Sequence, residues 1–587
     1  MKPSGEVMDP SDPVVVVGAG PVGVTAAIEL ARRGVSVRVV SAGAGPSTTS
    51  KAMGIHARTL EVLQRTGVSD RLVGLGLPLH SFRIHDQRRA IAELPFAEVP
   101  SAFPFALSLG QDVTEKVLRD RLQEAGVEVE WGTRLVQLEQ EDGTVRLTLE
   151  QGERRHEARA SWVIGCDGGS STVRRSSGIA FEGEPFPQWF LVADLQVDSP
   201  VTAGEAGRSR TNMFFSDEGA TAVFPLPEPG LYRLATALPQ DAVPAIDDDE
   251  SRGGGGDRGA PTVDLAALEQ LWQRRVGRPA RLSDPRWISP FQFNSRIAAS
   301  YRSGRVFLAG DAAHVHSPVG GQGMNTGIQD AVNLTWKLAA VLEGAPEGLL
   351  DTYEAERRPV AEDVLHDSRR NAVMASATSP LAKAGRSLAL RTVTRVGPVR
   401  RRFLAGLTML AVSYPASVLP GRPAPTGSRP RWAPGPGHRA PDGDVSLRGC
   451  PARLLGLLAP HGHALVSFDA GRADHDNSLA DLLPEIRTGH DLVSEIHVVV
   501  VRRYRGHGKN EQSGLSPEEI TEVLDPTGRL HDTYGASRPV MVLVRPDGVI
   551  GWRGPLAPSG LPLLRAVTDA SLPPARDSHA HPRRLPT

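Results

Sequence analysis

Hydrophobic positions follow two rhythms along this chain. VVVV at 14–17 and WVIG at 162–165 are short unbroken apolar runs of the kind that form strands buried on both faces, and each is followed by a glycine-rich turn and a helical stretch. Between 189 and 240 the segments FLVADLQVD, TAVFPLP and YRLATAL alternate apolar and polar residues instead, as an antiparallel sheet with one covered face does. The first rhythm predicts a strand at 14–17, a helix over 25–33 and a strand at 35–40. HARTLEVLQRTGVSDRLVGLG then reads as helical, QDVTEKVLRDRLQEAGVEVEWG as helix then strand, and TRLVQLEQEDGTVRLTLEQ as a hairpin turning at Asp142 and Gly143. The same style returns from 305, where RVFLAGDAAHVHSPVGGQGMNTGIQDAVNLTWKLAAVLEG reads as a strand, a polar glycine-rich loop and a long amphipathic helix. The alternating segments therefore form a second domain inserted into the first.

From 371 to 420 the pattern is helical, and PGRPAPTGSRPRWAPGPGHRAPDGD at 420–444 reads as a Pro/Gly linker. ALVSFDA, EIHVVVVRR, PVMVLVRPDGVIGWRG and PLLRAVTDA follow as strand, strand, hairpin and helix, an α/β domain of roughly 130 residues. The expected boundaries are a disordered N-terminus at 1–12 and a dinucleotide-binding domain over 13–185 and 285–370. A sheet domain over 186–284, a helical segment and linker over 371–430, and a C-terminal domain with a tail over 431–587 complete the division. SRGGGGDRG at 251–259 reads as a flexible surface loop.

Composition narrows the partners. Lys+Arg 66 against Asp+Glu 67 leaves a net charge of -1, so no overall field favours nucleic acid or an anionic membrane, and RRYRGHGKN at 502–510 reads as a solvated loop. No run of about 18 apolar residues occurs, and the first dozen residues lack a signal-peptide pattern, so a cytoplasmic protein is expected. Cys166 and Cys450 form neither a CxxC motif nor a disulfide framework, and no structural zinc site appears by spacing.

Gly18, Gly20 and Gly23 give G-x-G-x-x-G between the first strand and helix. Such a turn lets a pyrophosphate approach the backbone at a helix N-terminus, and Pro21 and Val22 belong to the same turn. The second strand of such units normally ends in Asp or Glu, which binds a ribose diol; here the place holds Ser41. Serine keeps one neutral hydrogen bond where a carboxylate makes charge-assisted ones worth about 1.5–3 kcal/mol, so binding weakens by one or two decades without being lost. Resident NADP, with the acid gone and Arg38 close by, is the competing assignment; Arg38 lies inside the strand.

Three motifs in this order carry a resemblance: GAGPVG at 18–23, CDGGSSTVRRSSG at 166–178 and GDAAHVHSPVGGQGMNTGIQDAVNLTWKLA at 310–339, with DTYEAERRPVA at 351–361 in support. Together they resemble the single-component flavin-dependent aromatic hydroxylases of the para-hydroxybenzoate hydroxylase type, in particular the aromatic polyketide hydroxylases with a C-terminal thioredoxin-like domain. The resemblance implies an α/β fold: a Rossmann-type FAD-binding domain, an inserted antiparallel-sheet substrate domain, a helical connection and a thioredoxin-like C-terminus.

The resemblance also implies site residues. Asp311 ends a strand where a carboxylate can accept from ribityl hydroxyls, and Pro318, Gly320, Gly321 and Gly323 precede a helix whose bare N–H groups suit the anionic edge of reduced flavin; Gly320 to Asn325, with Met324, are the expected ring contacts. Gln111 is implied for the ribityl chain, Lys51 or Arg58 for the pyrophosphate, and Asp167, Gly168 and Arg174 for the segment serving flavin and NADPH. Cys166 reads as a buried small hydrophobe. His314 is expected to order its loop, and His316 is the candidate for substrate contact or catalysis.

The implied activity is that of an FAD-dependent monooxygenase. NADPH or NADH reduces FAD, O2 adds to give a flavin C4a-hydroperoxide, and one oxygen passes to an electron-rich phenolic or polycyclic polyketide ring. Phe214, Phe224, Tyr232 and Phe291 are the expected substrate wall. Baeyer–Villiger oxidation or epoxidation on a polyketide, and a non-catalytic flavin-fold binding protein, stand as alternatives. Homodimerisation is left open, and a lone Cys450 argues against disulfide exchange by the C-terminal domain.

Overall fold

The computed structural model describes residues 12–568 except 48–51, 87–88, 142, 186–187, 239–262, 293, 317–319, most of 377–393, 416–432, 459–461, 470–478, 483–495, 505–519 and scattered positions after 560. The expected N-terminal tail, the SRGGGGDRG loop, most of the Pro/Gly linker, Asp142, Lys51 and Pro318 lie outside the described residues.

The first unit contains β1 (Val14–Val17), α1 (Pro21–Ala31), β2 (Val37–Ser41), α2 (Ala57–Gln64), α3 (Gln111–Glu124), and, after the β3–β4 hairpin (Ser81–Asp86 and Arg89–Pro95), β5 (Val129–Trp131) and β6 (Trp162–Gly165). The second unit contributes β7 (Phe190–Asp198), β8 (Arg210–Ser216), β9 (Gly219–Pro225), β10 (Leu231–Ala237), α4 (Leu265–Arg275) and β11 (Arg281–Phe291). The chain then returns through β12 (Val306–Leu308), α5 (Gly323–Leu342) and α6 (Asp351–Ser376).

Four buried valines make β1 the centre of the first sheet, whose order is Arg302–Ser303, β12, β6, β1, β2, β5. β1 runs parallel to both neighbours, with Val16 beside Val39 and Ile164. α5 passes through the middle of the molecule, buried from Asn325 to Ala339. A helix buried all round needs partners for its polar side chains, and the network around Asp330 described below supplies them.

The second sheet has the order β11, β7, β10, β9, β8, β3, β4. The predicted alternating strands are all present, but the sheet also takes β3 and β4 from residues 81–95, and β11 runs on to Phe291. It is therefore built from both visits of the chain, and the division at 186 and 284 cuts across it. On its outer face α4, N-capped by the Asp264 carboxylate on Ala267 N at 2.8 Å, covers a core of Leu191, Leu195, Val223 and Leu234 with Leu268, Leu271 and Trp272.

The C-terminal unit holds β13 (His463–Phe468), β14 (Ile496–Arg503), β15 (Ile520–Asp525), β16 (Val540–Val544) and β17 (Ile550–Pro555). β13, β14 and β15 are parallel, and β16 and β17 add antiparallel on the other side of β13. The predicted hairpin is β16–β17; β15 and the small hairpin of Asp444–Leu447 and Cys450–Arg453 were not expected. Most of the predicted helix PLLRAVTDA lies outside the described residues. This unit docks on the first through buried charges: Arg439 forks onto Glu61 at 2.7 and 2.5 Å, and Arg545 onto Glu356 at 2.6 and 2.8 Å.

Candidate functional site

The three glycines of the first turn do three different things. Gly18 has φ +109°, and a Cβ there would lie 2.3 Å from Cys166 O; a Cβ on Gly23 would lie 1.9 Å from Gly18 O. Both are fixed by packing of the protein on itself. Gly20, the N-cap of α1, would point a Cβ into open space. That space lies against bare first-turn N–H groups, which is the cradle a pyrophosphate needs. Pro21 occupies the first helical position, and Val22 fills the contact made by Gly310 and Gly327, so these two shape the turn by packing.

Three further segments converge on this cradle. Gln111 accepts from Ala52 N at 3.0 Å and donates to Glu115 at 2.8 Å, pinning the loop before α2 to the start of α3. Asn325 accepts from His56 N at 2.9 Å and donates to Gly54 O and Gly321 O at 2.8 and 2.7 Å, so its side chain ties that loop to the start of α5. His56 is buried, and burial lowers its pKa; its Nε2 lies 3.0 Å from Gly320 O, an acceptor, so the neutral ring carries its proton there. Gly320 and Gly321 hold φ of +102° and +64°, which turn the chain into α5. Gln322 caps α5 without a side-chain hydrogen bond, leaving first-turn N–H groups for a ligand beside Gly323, Met324 and Asn325. Asp311 is exposed at the end of β12, and His316 stacks on His314 with ring centres 6.4 Å apart, next to Gly323. These residues fit a flavin dinucleotide: a glycine cradle at one end of the groove, a bare helix terminus at the other, and a carboxylate between them.

Asp330 and Arg357 hold that groove in shape. Asp330 accepts from Gly310 N at 3.2 Å and His314 Nε2 at 2.6 Å, and Arg357 donates to it at 2.7 Å and to Thr326 O at 3.1 Å. Burial alone would raise the Asp330 carboxyl, but Arg357 and His314 overcome it and hold the pKa below the usual carboxylate range. His314 orders the loop, as expected. The DAVNL and ERRP segments were visible in the sequence as matching motifs, yet only the folded chain gives these two residues a task.

In the middle motif the Asp167 carboxylate accepts from Thr172 N, Val173 N and Ser171 Oγ, so it caps the short helix Thr172–Ser176. Gly168 has φ +81° in that turn. Arg174 donates to Ala312 O and Gly169 O at 3.0 and 2.9 Å, tying this loop to the Asp311 segment. Burial pushes the Cys166 thiol far up, which leaves it protonated and inert.

Three expected contacts are corrected. Arg58 points away from the cradle: it is buried, donating to Asp547 O at 2.7 Å and pairing with Glu61 at 3.3 Å against the C-terminal unit. Phe214 and Tyr232 belong to the core under α4, and the Tyr232 hydroxyl donates to Thr202 O at 3.0 Å. Alternation identified two faces of the sheet without saying which one looks at the first unit. That inner face is set by Phe82, Ile84 and Phe215, which pack into the first unit's core. The register places Met213, Phe224 and Arg233 on it, with Phe190 opposite Phe291 at 6.3 Å between ring centres. Arg233 forks onto Asp194 at 2.7 Å for both bonds and lies 5.4 Å from the Trp287 ring centre. This buried cation on the inner face had no sequence signal beyond a charged residue within an apolar strand.

At the nucleotide end, Ser41 is half-buried where β2 stops, beside the turn in which Gly18 N donates to Val40 O at 2.8 Å. Arg38 is bound by both oxygens of Glu130 at 2.8 and 2.9 Å, a hydrogen bond that raises its pKa and occupies the fork a 2′-phosphate would need.

With this geometry in place, residues 12–368 match the family model described as FAD binding domain. The chain is 34% identical to 6-methylpretetramide 4-monooxygenase of Streptomyces rimosus over 97% of its own length and 96% of the relative's. Among solved structures it resembles aklavinone-11 hydroxylase with FAD and aklavinone (TM-score 0.71, 26% identity, covering 96% of this chain and 100% of that one). It also resembles anhydrotetracycline hydroxylase of Streptomyces rimosus (TM-score 0.68, 29% identity, covering 96% and 100%).

Proposed function

This chain belongs to the FAD-binding-domain family of flavin-dependent aromatic monooxygenases, and from that premise we propose that it hydroxylates a polycyclic aromatic polyketide, with NAD(P)H as electron donor and O2 as oxygen source. The observation that carries the substrate class is the likeness to 6-methylpretetramide 4-monooxygenase through 97% of the chain, C-terminal unit included. A non-catalytic binding role is not supported, since the glycine cradle is intact and these relatives are named monooxygenases or hydroxylases.

FAD, when bound, would supply the redox and oxygen-transfer chemistry of the reaction. The protein holds and orients it. Gly20 would cradle the pyrophosphate, Ser41 would give the adenosine ribose one hydrogen bond, Asp311 would accept from the ribityl chain, and the N–H groups opening α5 would serve the pyrimidine edge. Met213, Phe224 and Phe291 wall the substrate on the sheet side and keep water from the ring, and Arg233 is the cation on that wall. The strand order β14, β13, β16, β17 supports reading the C-terminal unit as thioredoxin-like; with Cys450 as its single cysteine it has no dithiol to exchange.

The test compares NADPH consumption and product mass for tetracyclic phenolic substrates and for simple phenols. Oxygenation of the tetracyclic set with kcat/KM at least about tenfold above the simple phenols supports the substrate class, and the reverse order removes it.

A further inference from the structure

The C-terminal unit is linked to the residues that shape the flavin groove by buried charges and one buried tyrosine ring. At the turn between β16 and β17, Arg545 forks onto Glu356 of α6 at 2.6 and 2.8 Å, and the Asp547 carboxylate accepts from Asn333 of α5 at 3.1 Å. Glu356 also accepts from Lys337 at 2.8 Å and Asn333 at 2.8 Å. The guanidinium carbons of Arg545 and Arg357 lie 5.6 and 5.9 Å from the ring centre of Tyr414, and the Tyr414 hydroxyl accepts from Arg357 at 3.1 Å. Arg357 ends the path on Asp330 and Thr326, which hold Gly310, His314 and the first turn of α5. Arg545, Glu356, Arg357 and Asp330 are each no more than 1% exposed.

We propose that Arg545 is a positioning residue for the flavin groove: through Glu356 and Tyr414 it fixes the backbone and side-chain orientation of the Arg357–Asp330 pair, and thereby the Gly310–Asp311 strand end and the opening of α5. Lys337, Arg545 and Arg357 balance Glu356, Asp547 and Asp330 in charge. A buried ionic cluster adds little net stability over apolar packing of the same volume but holds its members in one arrangement, which is what a ligand groove between two chain segments requires. Removing Arg545 leaves Glu356 and Asp547 sharing Lys337, which draws α5 and α6 out of register beneath the groove. This inference rests on the flavin assignment.

The test uses the full-length protein and reads FAD affinity by flavin fluorescence, the visible band shape of the bound flavin, and the thermal midpoint. Arg545→Met is compared with Arg439→Met, which removes a buried docking charge of the same unit whose partner Glu61 also accepts from Ser101 (2.6 Å) and Arg58 (3.3 Å), and which reaches Asp547 only through the Arg58 bond to its backbone oxygen. Arg545→Met is expected to raise the FAD dissociation constant about tenfold or more and shift the flavin bands, and Arg439→Met to change it less than about threefold for a similar loss in midpoint. Tyr414→Phe, which removes one hydroxyl and spares the docking pairs, is expected to weaken FAD about threefold and serves if Arg545→Met does not fold. Equal FAD losses in Arg545→Met and Arg439→Met, or wild-type affinity in Arg545→Met or Tyr414→Phe, overturn the proposal alone. A wild-type protein that does not bind FAD overturns the flavin assignment and this inference with it.

Discussion

His463 offers a test of the domain interface by pH. It lies in β13, 1% exposed, edge-on to Trp336 of α5 at 5.5 Å, and neither ring nitrogen has a hydrogen-bond partner among the described residues. Burial, then the positive charge of Arg545 and of Arg65, outweigh Asp547 and push its pKa from 6.5 to about 3. The unfolded chain therefore binds the proton more readily than the folded one. Stability rises with pH between those two values, is level above the unfolded value, and falls as the pH drops through the window. Between pH 7 and pH 5 this single group removes about 2 kcal/mol, a large part of an ordinary stability margin. His463→Phe removes the titration and the two unpartnered nitrogens, so it is expected to match or exceed wild-type stability at pH 7 and to decline less by about 2 kcal/mol at pH 5. Urea unfolding followed by tryptophan fluorescence at both pH values reads the difference, with Trp336 and Trp552 on either side of the interface. Parallel pH dependence in the two proteins would refute the reasoning.

Five other substitutions separate binding from folding. Gly20→Val is expected to abolish FAD binding with the midpoint little changed, because its side chain enters the cradle, whereas Gly18→Ala meets Cys166 O and is expected to unfold the protein; thermal melts beside FAD titrations check both. Ser41→Glu is expected to tighten FAD by one to two decades, about 1.5–3 kcal/mol, read by fluorescence titration; an unchanged constant would place the ribose elsewhere. Phe224→Ala is expected to raise KM for the aromatic substrate at near wild-type stability, and Phe214→Ala to cost about 3–5 kcal/mol of stability by leaving a cavity under α4, as chemical denaturation would show.

Local chemistry was legible where a residue's role is set by its neighbours in sequence. The spacing of Gly18, Gly20 and Gly23, the strands at 14–17 and 162–165, and the separate character of the 189–240 segments all follow from short-range pattern. Roles set by tertiary direction were not legible. Arg58 starts a helix in the right segment, yet its side chain leaves on the face turned to Asp547, which lies 489 residues away. Phe214 and Phe224 both sit in alternating strands, and only the packing of α4 on one face decides that Phe214 is core. Strand β15, ITEVLD, has Thr521, Glu522 and Leu524 half-buried and the polar Asp525 buried, and so lacked a clear apolar period. Asp330 and Arg357 lie in matching motifs without a role legible from them; burial gives them Gly310, His314 and Thr326 as partners.

The most direct measurement of the central claim is oxygen transfer under 18O2. The FAD-loaded protein, NADPH and a tetracyclic phenolic substrate are expected to give a product carrying one atom of 18O, with NADPH oxidised only slowly in the absence of that substrate. A product without label from O2, or a protein whose spectrum stays free of flavin bands in excess FAD, would contradict it.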